Sequence, residues 1–303
     1  MEDYPRTFIE FEQRFTSDEA CRDYLFQIRW PDGFRCPRCQ NQKAWKTKQN
    51  LYYCTKCKYK TSVTSGTIFQ DTRYPLKIWF VAIWYVIGQK NGVSALGLQN
   101  ILGLARYETA WMWLHRLRIA MIRPGRDRLS GTVEVDEAYI GGRRKGKRGR
   151  GAEGKSLILV AAERKDKHIG RIRLLRVPDA SAMSLVPSVE KIVEPKSTIH
   201  TDGWISYDGL KSKGYAHNII RESADVGENL LPLAHRTISL LKRWLLGTHQ
   251  GAVNQSHLDY YLDEFTFRFN RRTSKSRGKL FYRLVQQAVI VAPVKDSEIR
   301  GKH

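Results

Sequence analysis

Two Cys-x-x-Cys pairs near the N-terminus constrain the fold of this chain more than any other feature. Cys36 and Cys39 form the first pair, Cys54 and Cys57 form the second, and fourteen residues separate the pairs. Four thiolates at this spacing are typical of one tetrahedral zinc site, with a hairpin between the pairs. Disulfides or buried core thiols are the alternative, which a reducing compartment and small polar neighbours disfavour. The sequence therefore predicts a structural zinc ribbon at residues 31–72.

Aromatic side chains lie between or beside the two cysteine pairs, together with several lysines. Trp45, Tyr52 and Tyr53 suit either a ribbon that contacts DNA or the ribbon's own small hydrophobic packing, and the sequence leaves both readings open. The fifth cysteine, Cys21, lies in the helical pattern SDEACRDYLFQIRW, where we expect a core residue. Residues 1–30 are thus predicted to be an N-terminal helical segment.

The charge of the chain indicates a partner rich in phosphate. Among 303 residues, 52 Lys and Arg stand against 30 Asp and Glu, which gives a net charge of +22 and a pI near 9.9. The sequence shows neither an apolar run of membrane-spanning length nor a lipidation signal, and its N-terminus is too acidic and polar for a signal peptide. We therefore expect a soluble, cytoplasmic protein with no membrane partner.

A helix-turn-helix pattern occupies residues 73–125. SALGLQNILGL and RYETAWMWLHRLRIAM read as two short helices around a turn at Gly103. The second helix is predicted to display basic residues to a DNA major groove while apolar ones pack inward. The displayed residues are Arg106, His115, Arg116 and Arg118, and the inward ones are Trp111, Leu114 and Leu117. Packing of three helices without DNA is the alternative.

From residue 129 the sequence has the pattern of strands and helices that is typical of a mixed α/β domain. In TVEVDEAYI, Glu134 and Asp136 share one face of a strand. The order β-β-β-α-β-α predicts a mixed sheet in which Asp136 lies near Asp202, which follows a later strand. Two converging carboxylates repel each other unless a cation lies between them, and Mg²⁺ or Mn²⁺ with a phosphate substrate suits such a pair. The sequence therefore predicts metal-dependent cutting or joining of phosphodiesters.

A third metal ligand is expected on the helix LPLAHRTISLLKRWLLGTHQG. His235 and Lys242 share one face of this helix, opposite an apolar stripe of Ile238, Leu241 and Leu245. We expect His235 to bind the metal and Lys242 to hold a phosphate near it. A structural role for the histidine is the alternative.

A cationic arm follows the strand that carries Asp136. Six cations interrupted by glycines are expected to contact the DNA backbone, and a solvated hairpin is the alternative. These cations are Arg143, Arg144, Lys145, Lys147, Arg148 and Arg150.

Four blocks of the sequence together resemble the insertion-sequence transposases of the D-D-E type that couple a zinc ribbon to an RNase H-like catalytic domain. The blocks are VEVDEAYIGG with its basic insert, HTDGWISYDGL, HRTISLLKRWLLGTHQGAV and HLDYYLDEFTFRFNRR. The resemblance implies an RNase H-like domain at residues 129–275, followed by a C-terminal helix and tail at 276–303. It implies Asp136 and Asp202 as the first two metal ligands. The third family position varies among Glu, Asn and His and is followed seven residues later by Lys, which matches His235 and Lys242; Glu264 is the fallback.

The resemblance implies a transposase that binds the ends of an insertion sequence, cleaves DNA strands and transfers them to target DNA. It implies double-stranded DNA as the partner, a homo-oligomer on that DNA, and a bacterial, nucleoid-associated location. A zinc-ribbon regulator would explain the first half and the charge but needs no Asp136. A nuclease on the same fold and a catalytically inactive, domesticated descendant are further alternatives.

Overall fold

The computed structural model describes residues 2–123, 125–141, 155–221, 230–251 and 253–301. The chain divides into two compact units. The first combines Met1–Arg123 with Ser274–His303, and the second is Pro124–Thr273. The segment predicted as a separate C-terminal helix and tail therefore lies in the same unit as the N-terminal helices.

The described residues form the following helices and strands, each class given in chain order. The helices are α1 (Phe8–Arg14), α2 (Asp18–Arg29), α3 (Leu76–Gly88), α4 (Ala95–Leu102), α5 (Tyr107–Ala120), α6 (Ala182–Ile192), α7 (Pro232–His249), α8 (Leu258–Asn270), α9 (Arg277–Ala288) and α10 (Asp296–Arg300). The strands are β1 (Ala44–Lys46), β2 (Tyr52–Cys54), β3 (Lys60–Thr61), β4 (Thr132–Ile140), β5 (Ser156–Lys165), β6 (His168–Val177), β7 (Thr198–Thr201) and β8 (Ala216–Ile219). Short 3₁₀ helices span Ile205–Lys213 and Gln255–His257. Searched for a membrane-spanning segment, the described residues yield no helix that is both long and apolar enough.

The first unit contains the ribbon and a core of aromatic rings. Strands β1, β2 and β3 form an antiparallel sheet, which includes the hairpin predicted between the cysteine pairs. Away from the ribbon, Phe281 of α9 lies edge-on to Phe11, with the ring centroids 5.4 Å apart, and to Phe80, at 5.5 Å. Because all three rings are almost wholly buried, the C-terminal segment supplies part of the core that holds α1 and α3 together.

The helix-turn-helix segment has the predicted helices but not the predicted exposed face. Helices α4 and α5 flank Gly103, as expected. His115 and Arg118, however, are buried, at 0% and 2% exposure, so the prediction that they face DNA is wrong. Helix α5 packs against α4, α9 and α10. The C-terminal helices α9 and α10 thus cover part of the α5 surface that would be exposed if α5 packed on α4 alone.

The second unit is built on a mixed five-stranded sheet with the order β6-β5-β4-β7-β8. Strands β4, β5 and β6 pair antiparallel, whereas β4 with β7 and β7 with β8 pair parallel. Three meandering strands followed by two parallel crossovers confirm the RNase H-like, mixed α/β class predicted from the sequence. The two central strands, β4 and β5, are buried along most of their length.

Helices cover both faces of this sheet. Side chains of a strand alternate between its faces, and β4 carries apolar side chains on each face. Val133 and Val135 of β4 pack with α6 and with the 3₁₀ helix Ile205–Lys213. Ala138 and Ile140 pack on the opposite face with α7 and α8. Glu134 and Asp136 have the same parity as Ala138, so they lie on the α7 side of β4.

Gly278 provides a direct test of the packing in the first unit. A Cβ atom built at this position in α9 would lie 1.5 Å from the carbonyl oxygen of Pro5, so the N-terminal backbone must move to admit alanine. We expect Gly278→Ala to destabilise the protein by at least about 2 kcal/mol. The control is Gly247→Ala in α7, where a Cβ meets no atom within 4 Å, and where alanine should be neutral or stabilise the helix by up to about 1 kcal/mol. Thermal unfolding of both variants measures this; equal melting temperatures would contradict the close contact.

Candidate functional site

Asp136 lies on the central strand β4 and faces helix α7. Its Oδ1 accepts a hydrogen bond of 2.8 Å from the backbone N–H of Glu137. Its Oδ2 lies 3.4 Å from Nε2 of His235, and the two side chains are 14% and 45% exposed. The structure thus brings together two of the residues proposed from the sequence, although 98 positions separate them in the chain.

Asp202 directly follows the neighbouring strand β7. Strand β7 runs parallel to β4, and Asp136 and Asp202 each lie two residues beyond the last paired residues, Glu134 and His200. The backbone N–H of Trp204 donates to Asp202 Oδ1 at 3.1 Å, which holds the exposed carboxylate at the end of the strand. The proximity of the two aspartates stays a prediction, because among the described residues only the four ribbon cysteines bring three or more ligand atoms within 4.8 Å of one another.

The turn after Asp202 requires a glycine. Gly203 has a φ of +89°, and a Cβ there would lie 2.8 Å from Cγ2 of Ile219. Both the left-handed backbone and the lack of space therefore exclude a larger residue without movement of β8. The indole N–H of Trp204 donates to the carbonyl of Ala180 at 2.9 Å, and this bond anchors the turn to the segment before α6.

Helix α7 carries His235 and Lys242 on its exposed side. Its buried residues are Ala234, Thr237, Ile238, Leu241 and Leu245, which confirms the apolar stripe predicted from the sequence. Lys242 is exposed and lies seven residues beyond His235, or about 10 Å further along the helix axis. An anion bound near His235 is therefore within reach of a lysine on the same face.

Glu134 fixes the start of this helix and was not identified as functional from the sequence. Its carboxylate is 1% exposed and accepts from the backbone N–H groups of Leu233, at 2.7 Å, and Ala234, at 3.1 Å. Arg164 donates to the other carboxylate oxygen at 3.0 Å. Residue Leu231 precedes α7 and provides no side-chain cap, so Glu134 satisfies the first-turn donors and complements the helix dipole.

A usable signal for Glu134 was present in the sequence. A helix that begins with leucine and proline, LPLAH, lacks its own Ser, Thr, Asp or Asn cap. A glutamate two residues from Asp136 on a buried strand is the kind of distant group that supplies the missing acceptor. The pairing of the two required the tertiary structure, because 98 residues or more lie between them.

A buried tyrosine supports the acidic site from the opposite face of the sheet. The hydroxyl of Tyr207 donates to Glu137 Oε2 at 2.8 Å. Burial raises the pKa of Tyr207 well above its ordinary value, and the charges of Glu137, Asp136 and Asp202 raise it further. The phenol therefore stays protonated and donates to Glu137.

Glu264, the fallback third ligand, lies in α8 and is engaged in an ion pair. It is 1% exposed, and Arg268 donates to its Oε1 at 2.8 Å through Nε. Helix α8 packs chiefly on β6, the edge strand that is two strands away from β4. These contacts favour His235 over Glu264 as the third ligand, and the choice stays a prediction.

The four cysteines of the ribbon converge as a metal site requires. The sulfur atoms of Cys36, Cys39, Cys54 and Cys57 all lie within 4.8 Å of one another. Backbone N–H groups, foremost that of Cys57, lower the pKa of the Cys54 thiol, and four converging sulfur atoms are a donor set that zinc binds as thiolates. The donor set fits a structural zinc, and Cys21 is buried in the core away from this cluster, as predicted.

The residues expected to contact DNA are only partly described. The cationic arm, from Arg143 to Arg150, lies outside the described residues. Arg106 precedes α5 and is exposed, whereas Arg116 is partly buried and burial lowers its pKa. Contact of these residues with DNA stays a prediction.

Comparison with known proteins gives two domain matches and two relatives. Residues 128–270 match the model of an ISXO2-like transposase domain, and residues 16–60 match that of a transposase zinc-ribbon domain. The chain is 28% identical over 300 residues to an uncharacterized protein in transposable element ISH50 of Halobacterium salinarum, covering 88% of this chain and 94% of the relative. It is 28% identical over 119 residues to an uncharacterized transposase-like protein of Haemophilus influenzae, covering 38% of this chain and 93% of the relative.

Replacement of a ribbon cysteine should release the metal. We expect Cys54→Ser to lower the zinc content below one ion per chain, because a hydroxyl is a poor substitute for a thiolate. Cys21→Ala, which removes a buried thiol outside the cluster, should keep the full zinc content. Metal analysis of the purified chains tests this, and undiminished zinc in Cys54→Ser would contradict the site.

Glu134 should contribute to both stability and geometry. Glu134→Ala leaves two first-turn N–H groups of α7 without their acceptor, and we expect a loss of about 2–3 kcal/mol in the free energy of unfolding. Glu134→Gln, which keeps an acceptor oxygen, should lose less. Glu190→Ala, which breaks a more exposed ion pair with Lys213, should change stability by less than about 0.5 kcal/mol. Equal losses in Glu134→Ala and Glu190→Ala, measured by denaturant unfolding, would exclude the capping role.

Proposed function

This chain belongs to the insertion-sequence transposases with an N-terminal zinc ribbon, and from that premise we propose a specific activity. The protein binds the ends of an insertion sequence and catalyses metal-dependent cleavage and strand transfer of DNA. The observation that carries this proposal is the 3.4 Å approach of His235 to Asp136, with Asp202 directly after the adjacent parallel strand β7.

The donor set suits Mg²⁺ or Mn²⁺. Two carboxylates and one imidazole, together with substrate phosphates, provide the few protein ligands that these ions use. Asp136, Asp202 and His235 would hold the ion. A bound ion would supply Lewis-acid stabilisation of the charge that develops during phosphodiester transfer.

The protein's own groups orient and hold the reactants. Asp136 is fixed by the N–H of Glu137, and Asp202 by the N–H of Trp204, so neither carboxylate has to be ordered during the reaction. Glu134 holds the first turn of α7 and thereby the position of His235. Lys242 binds a phosphate of the DNA next to the scissile bond, through charge rather than base recognition.

The reaction consists of two successive nucleophilic substitutions at phosphorus. In the first, water attacks the phosphodiester at the element end and a 3′-hydroxyl leaves. In the second, that 3′-hydroxyl attacks a target phosphodiester and displaces a target 3′-oxygen, without a covalent protein intermediate. The net charge of +22 favours the approach of both DNA molecules.

The rival functions account for fewer of these contacts. A zinc-ribbon regulator would use the ribbon and the basic charge, but it needs neither the two aspartates nor a histidine beside them. An inactive descendant would keep the fold while cleaving nothing. Strand cleavage by the purified protein separates both from a transposase.

The proposal is tested by cleavage of DNA that carries the element ends, with Mg²⁺ or Mn²⁺. Asp136→Ala, Asp202→Ala and His235→Ala should each reduce strand cleavage by at least about 100-fold, since even partners one layer outside a metal site contribute 10- to 100-fold. Asp208→Ala removes another exposed acid from the same region and should cleave normally.

The third ligand is tested with the same DNA. His235→Glu should retain cleavage and shift the preference toward Mg²⁺, because a carboxylate is a harder ligand than imidazole. Normal cleavage by His235→Ala together with loss of cleavage in Glu264→Ala would assign the role to Glu264 instead. Unchanged cleavage in Asp136→Ala would reject the active site as a whole.

A further inference from the structure

The two faces of the ribbon sheet differ in what they contact. On one face the ring of Tyr52 packs against Phe26, Trp30 and Phe34, with ring centroids 5.1 to 5.7 Å apart. These contacts anchor the ribbon to α2 and the residues after it. Of the two readings left open by the sequence, Tyr52 therefore follows the packing one.

Trp45 and Tyr53 lie on the other face and follow a different pattern. They are directly paired across β1 and β2, and their rings stack with centroids 4.7 Å apart and planes 20° from parallel. Trp45 is 49% exposed. Tyr53 is partly buried, so the exposed ring of the pair is that of Trp45, which the core of the ribbon does not cover.

Two lysines are held against these rings. The ammonium of Lys58 lies 5.6 Å from the ring centroid of Trp45, and that of Lys60 lies 5.6 Å from the ring centroid of Tyr53. Both lysines are exposed, and among the described residues neither has a carboxylate within salt-bridge distance. We call these four residues, Trp45, Tyr53, Lys58 and Lys60, the ribbon face.

The surrounding sequence is cationic throughout. From Gly33 to Lys60 there is no aspartate or glutamate. Eight cations lie in the same stretch: Arg35, Arg38, Lys43, Lys46, Lys48, Lys56, Lys58 and Lys60. Lys46 pairs with Asp23 of α2 at 3.6 Å, but a stretch this rich in ammonium and guanidinium groups is complementary to a row of phosphates.

We propose that the ribbon face binds the sugar-phosphate backbone of double-stranded DNA. Lys58 and Lys60 contact phosphates, and the stacked rings hold the two ammonium groups in place through cation–π attraction, which lowers the entropy lost on binding. The ring of Trp45 contacts Tyr53 and Lys58, and the ring of Tyr53 contacts Trp45 and Lys60. The groups available to a ligand are therefore the ammonium groups of the two lysines rather than the faces of the rings. The inference shares DNA as a partner with the proposed function but is independent of its active site.

The test measures DNA affinity of the full-length chain as a function of salt, without a divalent cation so that no cleavage occurs. Lys58→Ala/Lys60→Ala should reduce the slope of log affinity against log salt by about 1.8, or about 0.9 for each lost phosphate contact. The reduction should be similar for any duplex sequence. Lys165→Ala/Lys167→Ala removes the same charge from a turn of the other unit and serves as the matched control, with a smaller change in slope.

Trp45 acts through Lys58 and is tested in two backgrounds. Trp45→Ala alone should weaken duplex binding, whereas it should add little to Lys58→Ala/Lys60→Ala. Trp45→Phe, which keeps a ring, should restore most of the affinity. Full zinc content in each variant confirms that the ribbon is folded.

Three results would overturn the inference. The first is an unchanged slope in Lys58→Ala/Lys60→Ala, and the second is an equal change in the control pair. The third is a further loss from Trp45→Ala in the double-lysine background with a preference for single strands, which indicates base stacking. If the wild-type protein cleaves DNA but the Lys58→Ala/Lys60→Ala variant binds DNA as tightly as wild type, only the role of the ribbon face is rejected. If the lysine variant loses DNA affinity as predicted but the wild-type protein cleaves no DNA, only the proposed activity is rejected.

Discussion

The buried carboxylate of Glu134 is the interaction on which the geometry of the candidate active site depends. It joins β4 to the first turn of α7 through two backbone N–H groups, while Arg164 compensates its charge. Burying a carboxylate is costly unless it is paired and hydrogen-bonded, so this glutamate is stable only with α7 in place. Asp136 lies on the same face of the same strand, and His235 lies in the same turn of the helix. The contact of Glu134 with the first turn of α7 thus sets the distance between Asp136 and His235.

The register of the sheet sets the remaining part of the site. In the parallel pairing of β4 with β7, Asp136 and Asp202 each lie two residues beyond the paired Glu134 and His200, and Gly203 allows the chain to turn directly after Asp202. The Tyr207–Glu137 hydrogen bond stabilises the same strand from its other face. The acidic site therefore depends on backbone pairing and on buried polar bonds.

Much of this arrangement could be predicted from local pattern. The alternation in TVEVDEAYI and the stripe of Ile238, Leu241 and Leu245 fixed which residues face the core, because both follow the period of a single element. The burial of His115 and Arg118 could not be predicted in this way, since the surroundings of α5 include α9 and α10, which come from the C-terminal part of the chain. Glu134 escaped for the same reason. Its partners are backbone groups, so the uncapped helix start LPLAH indicated that an acceptor was missing but not which residue supplies it.

The central claim is that Asp136, Asp202 and His235 bind one divalent cation. Anomalous diffraction from crystals of the full-length protein grown with Mn²⁺ tests it most directly, because the ion is located independently of any activity. The account predicts one strong anomalous peak in contact with carboxylate oxygens of both aspartates and with Nε2 of His235. A peak bound by Glu264, with the His235 imidazole turned away from it, would contradict the account.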